Sequence, residues 1–332
     1  MKKLIIQIPC LNEAQTLPAT LRDLPRNIPG IDKIEVLVID DGSTDKTAET
    51  ARAVGADYVI SLRPTRGLAA AFTTGIDACL RLGADFIVNT DGDNQYSGHD
   101  IPLLVAPLVR GEADVVIGDR NVAALQHLSW TRKRLQRVGS WVVRQVSNTR
   151  VPDTTSGFRA YTREAALRMN IVSDFTYTLE SIIQAGKKRM AIAHVPIRSN
   201  TGTRPSRLFD NVWVYLKRSA STIVRIYTMY EPFKVFTTIG LLTFAAGLAI
   251  SFRFLYFFVN NQGSGHVQSL LLAAVLMIVG FQVLLIGLVA DVISANRKLL
   301  EDLLYRVRSM ELREPPPVAD REARVTSRDR EW

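Results

Sequence analysis

A chain of 332 residues with 47% hydrophobic residues is long enough for one large domain plus an appendage, and too apolar to be disordered throughout. Its formal charge of +9 implies a polyanionic partner. The basic residues gather at 132–144 and 217–225, beside Trp and Tyr and close to apolar spans, which favours a membrane surface; no zinc-finger or RNA-binding pattern supports nucleic acid as the partner.

The start Met1-Lys2-Lys3 mimics a signal peptide, but its apolar run is broken at Gln7 and Pro9 and ends in Asn12-Glu13, so it reads as a first strand. Short β-rich runs at 4–8, 36–39, 58–60, 86–88 and 115–117 then alternate with helical runs up to about residue 195. This pattern predicts an α/β fold, a mostly parallel sheet with helices on both faces. Thr16 and Ser43 are candidate N-caps, 67–82 reads as a longer helix, Asp100 as the cap of 101–109, and Thr162 as the cap of 163–169. The two cysteines, Cys10 and Cys79, match neither metal nor redox spacing and are expected buried and reduced.

After residue 195 comes a Gly/Pro/Arg-containing connection, then an interfacial amphipathic helix over 208–230, where Phe209, Trp213, Leu216, Ile223 and Ile226 alternate with Lys217, Arg218 and Arg225. The apolar segments 235–259 and 267–289 are each long enough to cross a hydrocarbon core of about 30 Å. Their connection, 260–266, has no Lys or Arg, whereas Arg218, Arg225 and Lys234 precede the pair and Arg297, Lys298 and Arg306 follow it. Both flanks are therefore expected on the cytoplasmic side of an inner (cytoplasmic) membrane. Arg253, inside the first span, is expected to snorkel or face a partner helix. The tail 314–332 reads as disordered. The expected organisation is a catalytic domain at 1–200, an amphipathic segment at 201–232, a two-helix transmembrane hairpin at 233–293 and a helix with a tail at 294–332. Two isolated spans would pack more easily in an assembly, which leaves room for a homo-oligomer.

Polar clusters follow the strands, where open α/β sheets bind ligands: Asn12-Glu13, Asp40-Asp41-Gly42-Ser43 and Asp91-Gly92-Asp93. Asp91 and Asp93, two residues apart after a strand, can approach one hard cation, and Mg²⁺ or Mn²⁺ there would neutralise a departing nucleoside diphosphate. Asp-x-Asp alone is also a common surface turn; its position and the second cluster give it weight. Asp40 and Asp41 can accept hydrogen bonds from a base or a ribose, or form a turn ahead of a helix. The run Val151-Pro152-Asp153-Thr154-Thr155-Ser156-Gly157-Phe158-Arg159 offers hydroxyls and N–H groups to an anion between opposite charges. Trp130, Arg137, Trp141 and Arg144 fall near one helix face, suited to solvent or to lipid headgroups.

Together, Ile8-Pro9-Cys10-Leu11-Asn12-Glu13, Asp40-Asp41-Gly42-Ser43-Thr44-Asp45, Asp91-Gly92-Asp93-Asn94-Gln95, Gly118-Asp119-Arg120, Thr155-Ser156-Gly157-Phe158-Arg159 and Thr203-Arg204-Pro205-Ser206-Arg207 resemble a family 2 glycosyltransferase of the polyprenyl-phosphate sugar synthase type. The resemblance implies a GT-A (Rossmann-like) fold and inverting transfer of a hexosyl unit, mannose, glucose or related, from a GDP- or UDP-hexose to undecaprenyl or dolichyl phosphate. It implies that Pro9, Asn12, Glu13, Asp40 and Asp41 surround the nucleoside, and that Asp91 and Asp93 hold the metal. Gln95 joins them on the diphosphate and donor sugar, which Arg204 approaches. Arg120, Ser156 and a basic residue of 132–137, taken as Arg134, would grip the acceptor phosphate. Asp119 departs from the Ser common in the family. Asp153 is a candidate catalytic residue, but an alkyl phosphate with a second pKa of ~6 is already anionic, so Asp153 is expected to orient rather than to act as a base. A polysaccharide synthase would share the domain but usually carries Gln-x-x-Arg-Trp and more spans; here Val138 follows Gln136-Arg137. A receiver-like signalling module would leave Asp91 and the apolar spans unexplained.

Overall fold

The structure, a computed structural model, describes residues 1–120, 130–173, 176–200, 212–260 and 267–312, except the side chains of 130–138 and of most of 212–219. Seven strands, β1 (Lys3–Cys10), β2 (Lys33–Asp40), β3 (Tyr58–Ser61), β4 (Phe86–Asn89), β5 (Val115–Asp119), β6 (Arg159–Thr162) and β7 (Ile192–Pro196), form one sheet in the order β3-β2-β1-β4-β6-β5-β7. All pairings are parallel except those of β6, which runs antiparallel between β4 and β5. The helices are α1 (Leu17–Asp23), α2 (Thr47–Val54), α3 (Leu68–Arg81), α4 (Ile101–Val109), α5 (Trp130–Ser147), α6 (Arg163–Arg168), α7 (Tyr177–Lys187), α8 (Val212–Tyr230), α9 (Pro232–Val259) and α10 (Val267–Glu311). In β1, Leu4, Ile5, Ile6 and Ile8 are all fully buried, as a strand covered on both faces requires.

The five expected strands are present, with β2 and β5 longer than the apolar runs that announced them. Thr162 caps α6, its Oγ1 accepting the Ala165 N–H at 3.2 Å. Ser43 is not a cap. Helix α2 starts four residues later, at Thr47, whose N–H donates to Asp45 Oδ1 at 3.0 Å, while Ser43 Oγ accepts the Asn12 N–H at 2.8 Å. Neither Thr16 nor Asp100 makes a side-chain cap bond; Asp100 Oδ1 instead accepts from Nε and Nη2 of Arg198, and Oδ2 from the Arg198 backbone N–H. Cys10 and Cys79 are unpaired and buried, and burial raises both thiol pKa values, so neither is reactive.

The chain divides into two compact units, Met1–Thr222 with Leu303–Trp332, and Ile223–Asp302. In the first, the last turns of α10 pack on α6: Tyr305 donates to Glu164 at 3.0 Å, the Arg168 guanidinium lies 4.8 Å from the Tyr305 ring, and Arg308 donates to the Met169 carbonyl at 3.0 Å. The second holds α9 and most of α10, two helices long and apolar enough to cross a membrane, with Leu242, Phe252, Leu271 and Val289 exposed on the outside. Arg253 lies on this outer face, 5.7 Å from the Phe257 ring. The expected tail, 314–332, lies outside the described residues.

Small residues at a spacing of seven let the two long helices approach: Gly240 and Gly247 on α9, and Ala273, Gly280, Gly287 and Ser294 on α10, are buried. A Cβ at Gly280 would fall 2.6 Å from the Phe244 nitrogen and 2.9 Å from the Gly240 carbonyl oxygen. Gly280→Leu therefore has to push backbone apart, and we expect a loss of roughly 1–3 kcal/mol. It would be read as earlier unfolding of the full chain in an SDS titration; an unchanged titration would show that the seam tolerates a side chain.

Candidate active site

Three loops leave the carboxyl ends of β1, β2 and β4 and are tied together by side chain to backbone bonds. Asn12, in the left-handed region at φ 56°, accepts from the N–H groups of Thr44 at 2.8 Å and Asp45 at 3.3 Å through Oδ1. The Glu13 N–H donates to Thr47 Oγ1 at 2.8 Å. Asp41 is almost fully buried, and its two oxygens accept the N–H groups of Arg66 and Gly67, each at 2.8 Å. Asp40 is likewise buried and accepts the Ser43 N–H at 3.1 Å. In this arrangement Asp41 pins the start of the segment leading into α3, and Asp40 shapes the turn after β2. Pro9 is buried in β1 beneath them.

The turn after β4 carries Asp91 and Asp93. Asp93 Oδ1 accepts the Gln95 N–H at 3.1 Å, closing the turn, and the Gly92 carbonyl lies 3.0 Å from the Thr16 hydroxyl and 3.2 Å from that of Thr20. Gly92 has no alternative here, because a Cβ would fall 2.7 Å from Cys10 Sγ. Glu13, buried at 8% exposure, bonds the Thr16 hydroxyl at 2.7 Å and faces the same turn. Burial first, then the charges of Asp93 and Glu13, push the Asp91 carboxyl up to about 7, against the pull of Arg120 and Arg159. Among the described residues Asp91 accepts no hydrogen bond.

These residues fit a hard divalent cation. The donors are carboxylate oxygens, and their mutual repulsion is what a cation would relieve. No group of three or more acidic, thiol or imidazole side chains close enough to cage a metal occurs among the described residues. An ion held by one or two carboxylates that completes its shell with phosphate oxygens and water is the usual Mg²⁺ arrangement. Proton and metal compete for Asp91, so Mn²⁺ affinity should fall as pH drops below about 7, by at most about tenfold per pH unit. Dissociation constants at about pH 8 and about pH 6 check this; equal values would remove Asp91 from the ligand set.

Facing this acidic turn is a basic one. Arg120, just past β5, grips Asp153 in bidentate fashion, Nε to Oδ2 at 2.7 Å and Nη2 to Oδ1 at 3.1 Å, and Nη2 also donates to Thr155 Oγ1 at 2.8 Å. Asp153 is 2% exposed, and burial would raise its pKa, but the charge and hydrogen bonds of Arg120 and the bonds from Thr155 hold it below the ordinary value. It is a fixed carboxylate and a poor proton acceptor at neutral pH. Arg120 Nη1 has no hydrogen bond among the described residues.

The 153–158 loop is held from behind. Arg159, expected to flank an anion, is fully buried and donates to the carbonyls of Ser156 (2.7 Å), Thr178 (2.8 Å) and Thr154 (3.0 Å). Ser156, expected on the acceptor phosphate, is also fully buried; its Oγ accepts the Phe158 N–H at 3.3 Å, so it braces the loop. Asn89 donates to the Gly157 carbonyl at 2.9 Å and to Tyr177 at 2.8 Å, and accepts from Gln7 at 2.9 Å. A Cβ on Gly157 would fall 2.9 Å from the Tyr177 hydroxyl and 3.1 Å from both Asp91 oxygens, so the missing side chain lets this loop lie close against the acidic turn. Tyr96 accepts the Gly157 N–H at 3.0 Å.

The structure thus brings Asn12, Glu13, Asp40, Asp41, Asp91, Asp93 and Gln95 to one sheet edge with Arg120 and Asp153. Arg204 and the Arg134 side chain lie outside the described residues. Sequence reasoning missed Asn89, Tyr96 and Tyr177. The signal available was a polar residue ending a buried strand at Asn89, and an aromatic following the acidic turn at Tyr96.

The acidic turn after β4 and the Arg120–Asp153 pair thus meet at the carboxyl ends of a mostly parallel sheet, where α/β enzymes place their ligand sites. Residues 5–168 match the model of glycosyl transferase family 2, and residues 231–295 match the GtrB C-terminal hairpin. The chain is 30% identical over 300 residues to glycosyltransferase AglJ of Haloferax volcanii, covering 87% of this chain and 92% of that protein. It is 29% identical over 200 residues to the undecaprenyl-phosphate mannosyltransferase of Micrococcus luteus, covering 57% and 80%. Among solved structures, glucosyl-3-phosphoglycerate synthase of Mycobacterium tuberculosis, in complex with Mn²⁺, UDP-glucose and phosphoglyceric acid, superposes with a TM-score of 0.55 at 22% identity, over 68% of this chain and 80% of that one. The chain belongs to glycosyl transferase family 2 and is a glycosyltransferase of the GT-A fold.

Proposed function

We propose that this glycosyltransferase moves a hexosyl unit from a GDP- or UDP-hexose onto a polyprenyl phosphate, with inversion at the anomeric carbon. The observation that carries the reading is the juxtaposition of Asp91, a carboxylate that accepts no hydrogen bond among the described residues, and Arg120, a guanidinium held by Asp153 and close enough to pull on Asp91. One side suits a metal-bound diphosphate and the other a phosphate monoester. The match to the GtrB hairpin and the lipid-phosphate acceptor in the name of the Micrococcus luteus relative support a lipid acceptor. In this reading α9 and the apolar part of α10 cross the membrane, with both flanks on the cytoplasmic side.

Asp91 and Asp93 would hold Mg²⁺ or Mn²⁺, which supplies charge neutralisation for the departing nucleoside diphosphate. Glu13 and Gln95 flank that position. An acceptor oxygen forms the bond to the anomeric carbon while the bond from that carbon to the diphosphate oxygen breaks, the electron pair leaving with the diphosphate. No base is required, because a phosphate monoester with a second pKa of ~6 arrives ionised. Arg120 binds this anion, and its pairing with Asp153 tempers the positive charge that would otherwise dull the nucleophile.

A panel of radiolabelled GDP- and UDP-sugars with undecaprenyl and dolichyl phosphate and Mn²⁺ tests the reading. One labelled, mild-acid-labile lipid is expected. No lipid-linked product with any donor would sink it, and a sugar polymer in its place would favour a membrane polysaccharide synthase.

A further inference from the structure

Tyr96 follows the acidic turn directly. It is 4% exposed, its ring stacks on Phe158 with centroids 5.1 Å apart and planes 16° from parallel, and its backbone bridges to Ser199. Stack and bridge fix the ring, so the hydroxyl cannot swing to another place. Its oxygen accepts the Gly157 N–H at 3.0 Å, and Gly157 is the residue at which a Cβ would fall 3.1 Å from both oxygens of Asp91. The phenol therefore stands where the metal-binding turn meets the Arg120–Asp153 pair. Burial, then the charges of Asp91 and Asp153, push its pKa up to about 12 against the pull of Arg120, so the proton stays on.

That proton has no acceptor among the described residues. A buried hydroxyl whose hydrogen finds no acceptor is unfavourable, and such a group placed among three charges points to a ligand that completes it. Arg120, the charged group that acts most strongly on Tyr96, has Nη1 also unbonded among the described residues. We propose that the Tyr96 hydroxyl is a binding residue of the acceptor subsite, donating a hydrogen bond to the phosphate monoester that Arg120 holds. The assignment rests on the acceptor reading above. Its chemical logic is that a second cation would tighten the phosphate at the expense of its nucleophilicity, whereas a neutral O–H fixes one oxygen and leaves the charge of the others to react.

Tyr96→Phe keeps the ring and its stack and removes only the O–H. With the full chain in detergent, Mn²⁺ and hexyl phosphate serve as separate probes by titration calorimetry, and a thermal melt checks the fold. We expect the hexyl phosphate dissociation constant to rise about tenfold while Mn²⁺ affinity stays within about twofold. In turnover, the KM for the lipid acceptor should rise more than the KM for the nucleotide sugar. An unchanged hexyl phosphate constant overturns the proposal and leaves the acceptor reading standing. A parallel loss of Mn²⁺ affinity also overturns it, because the hydroxyl would then act only by holding Gly157 against Asp91. If the wild-type chain binds no hexyl phosphate, the proposal and the acceptor reading fall together.

Discussion

Asp91→Asn is expected to lower turnover by about 10²–10³-fold and, at the same time, to raise the melting temperature of the metal-free protein. The two effects have one cause. Burial first, then the charges of Asp93 and Glu13, push the Asp91 carboxyl up to about 7, and among the described residues it accepts no hydrogen bond. The unfolded chain loses that proton near the ordinary carboxylate value, so folding stability falls as pH rises between the ordinary value and about 7. At about pH 8 the wild-type chain carries the whole cost of the charge and the Asn variant carries none. At about pH 4 most of the advantage should be gone, because Asp91 is protonated in the folded wild type and roughly half protonated in the unfolded chain. Saturating Mn²⁺ should raise the wild-type melting temperature and leave the variant where it was. An acidic turn with a purely structural role would behave in the opposite way, losing stability on substitution. A lower melting temperature for Asp91→Asn at about pH 8, with activity retained, would remove the metal argument.

Most of what places this site was legible in the sequence, because the signals were local. The buried run at Leu4 to Ile8 could only be a strand covered on both faces, and the acidic residues after it, after Ile39 and after Val88 had to emerge at one edge if the sheet was parallel. What was hidden depended on contacts far apart in the chain. The strand Arg159–Thr162 is four residues long, too short for its period to stand out, and pairs in the antiparallel sense with strands that precede it by more than forty residues. The internal partners of Asp41 and Arg159 were hidden for the same reason. Each is a charged residue in a motif, and nothing nearby in sequence reveals that one is occupied by the N–H groups of Arg66 and Gly67 and the other by the carbonyls of Thr154, Ser156 and Thr178. Helix α10 passes the end of its apolar run by some twenty residues because an apolar stripe, Leu300, Leu303, Val307 and Met310, continues at helical spacing after the membrane-type composition has stopped.

The pairing of Arg120 with Asp153 makes a second strong expectation. Arg120→Ala should abolish transfer and destabilise the fold by about 3–5 kcal/mol, since Asp153 would keep a buried charge with no cation beside it. Removing both charges together, as Arg120→Met with Asp153→Leu, should recover most of that stability and none of the activity. Denaturant titration of the single and double variants measures the coupling. Asp153→Asn separates orientation from proton transfer. Arg120 keeps its charge and one oxygen partner, so turnover should drop by about 10–100-fold rather than disappear, with the pH profile unmoved. The profile should carry no limb from Asp153 near neutrality, because Arg120 holds that carboxyl below its ordinary value. A general base would give the reverse pattern: loss as complete as that of Asp91→Asn, and a missing limb in the pH dependence with the fold intact. That result would make Asp153 the proton acceptor and demand an acceptor group less acidic than a phosphate monoester.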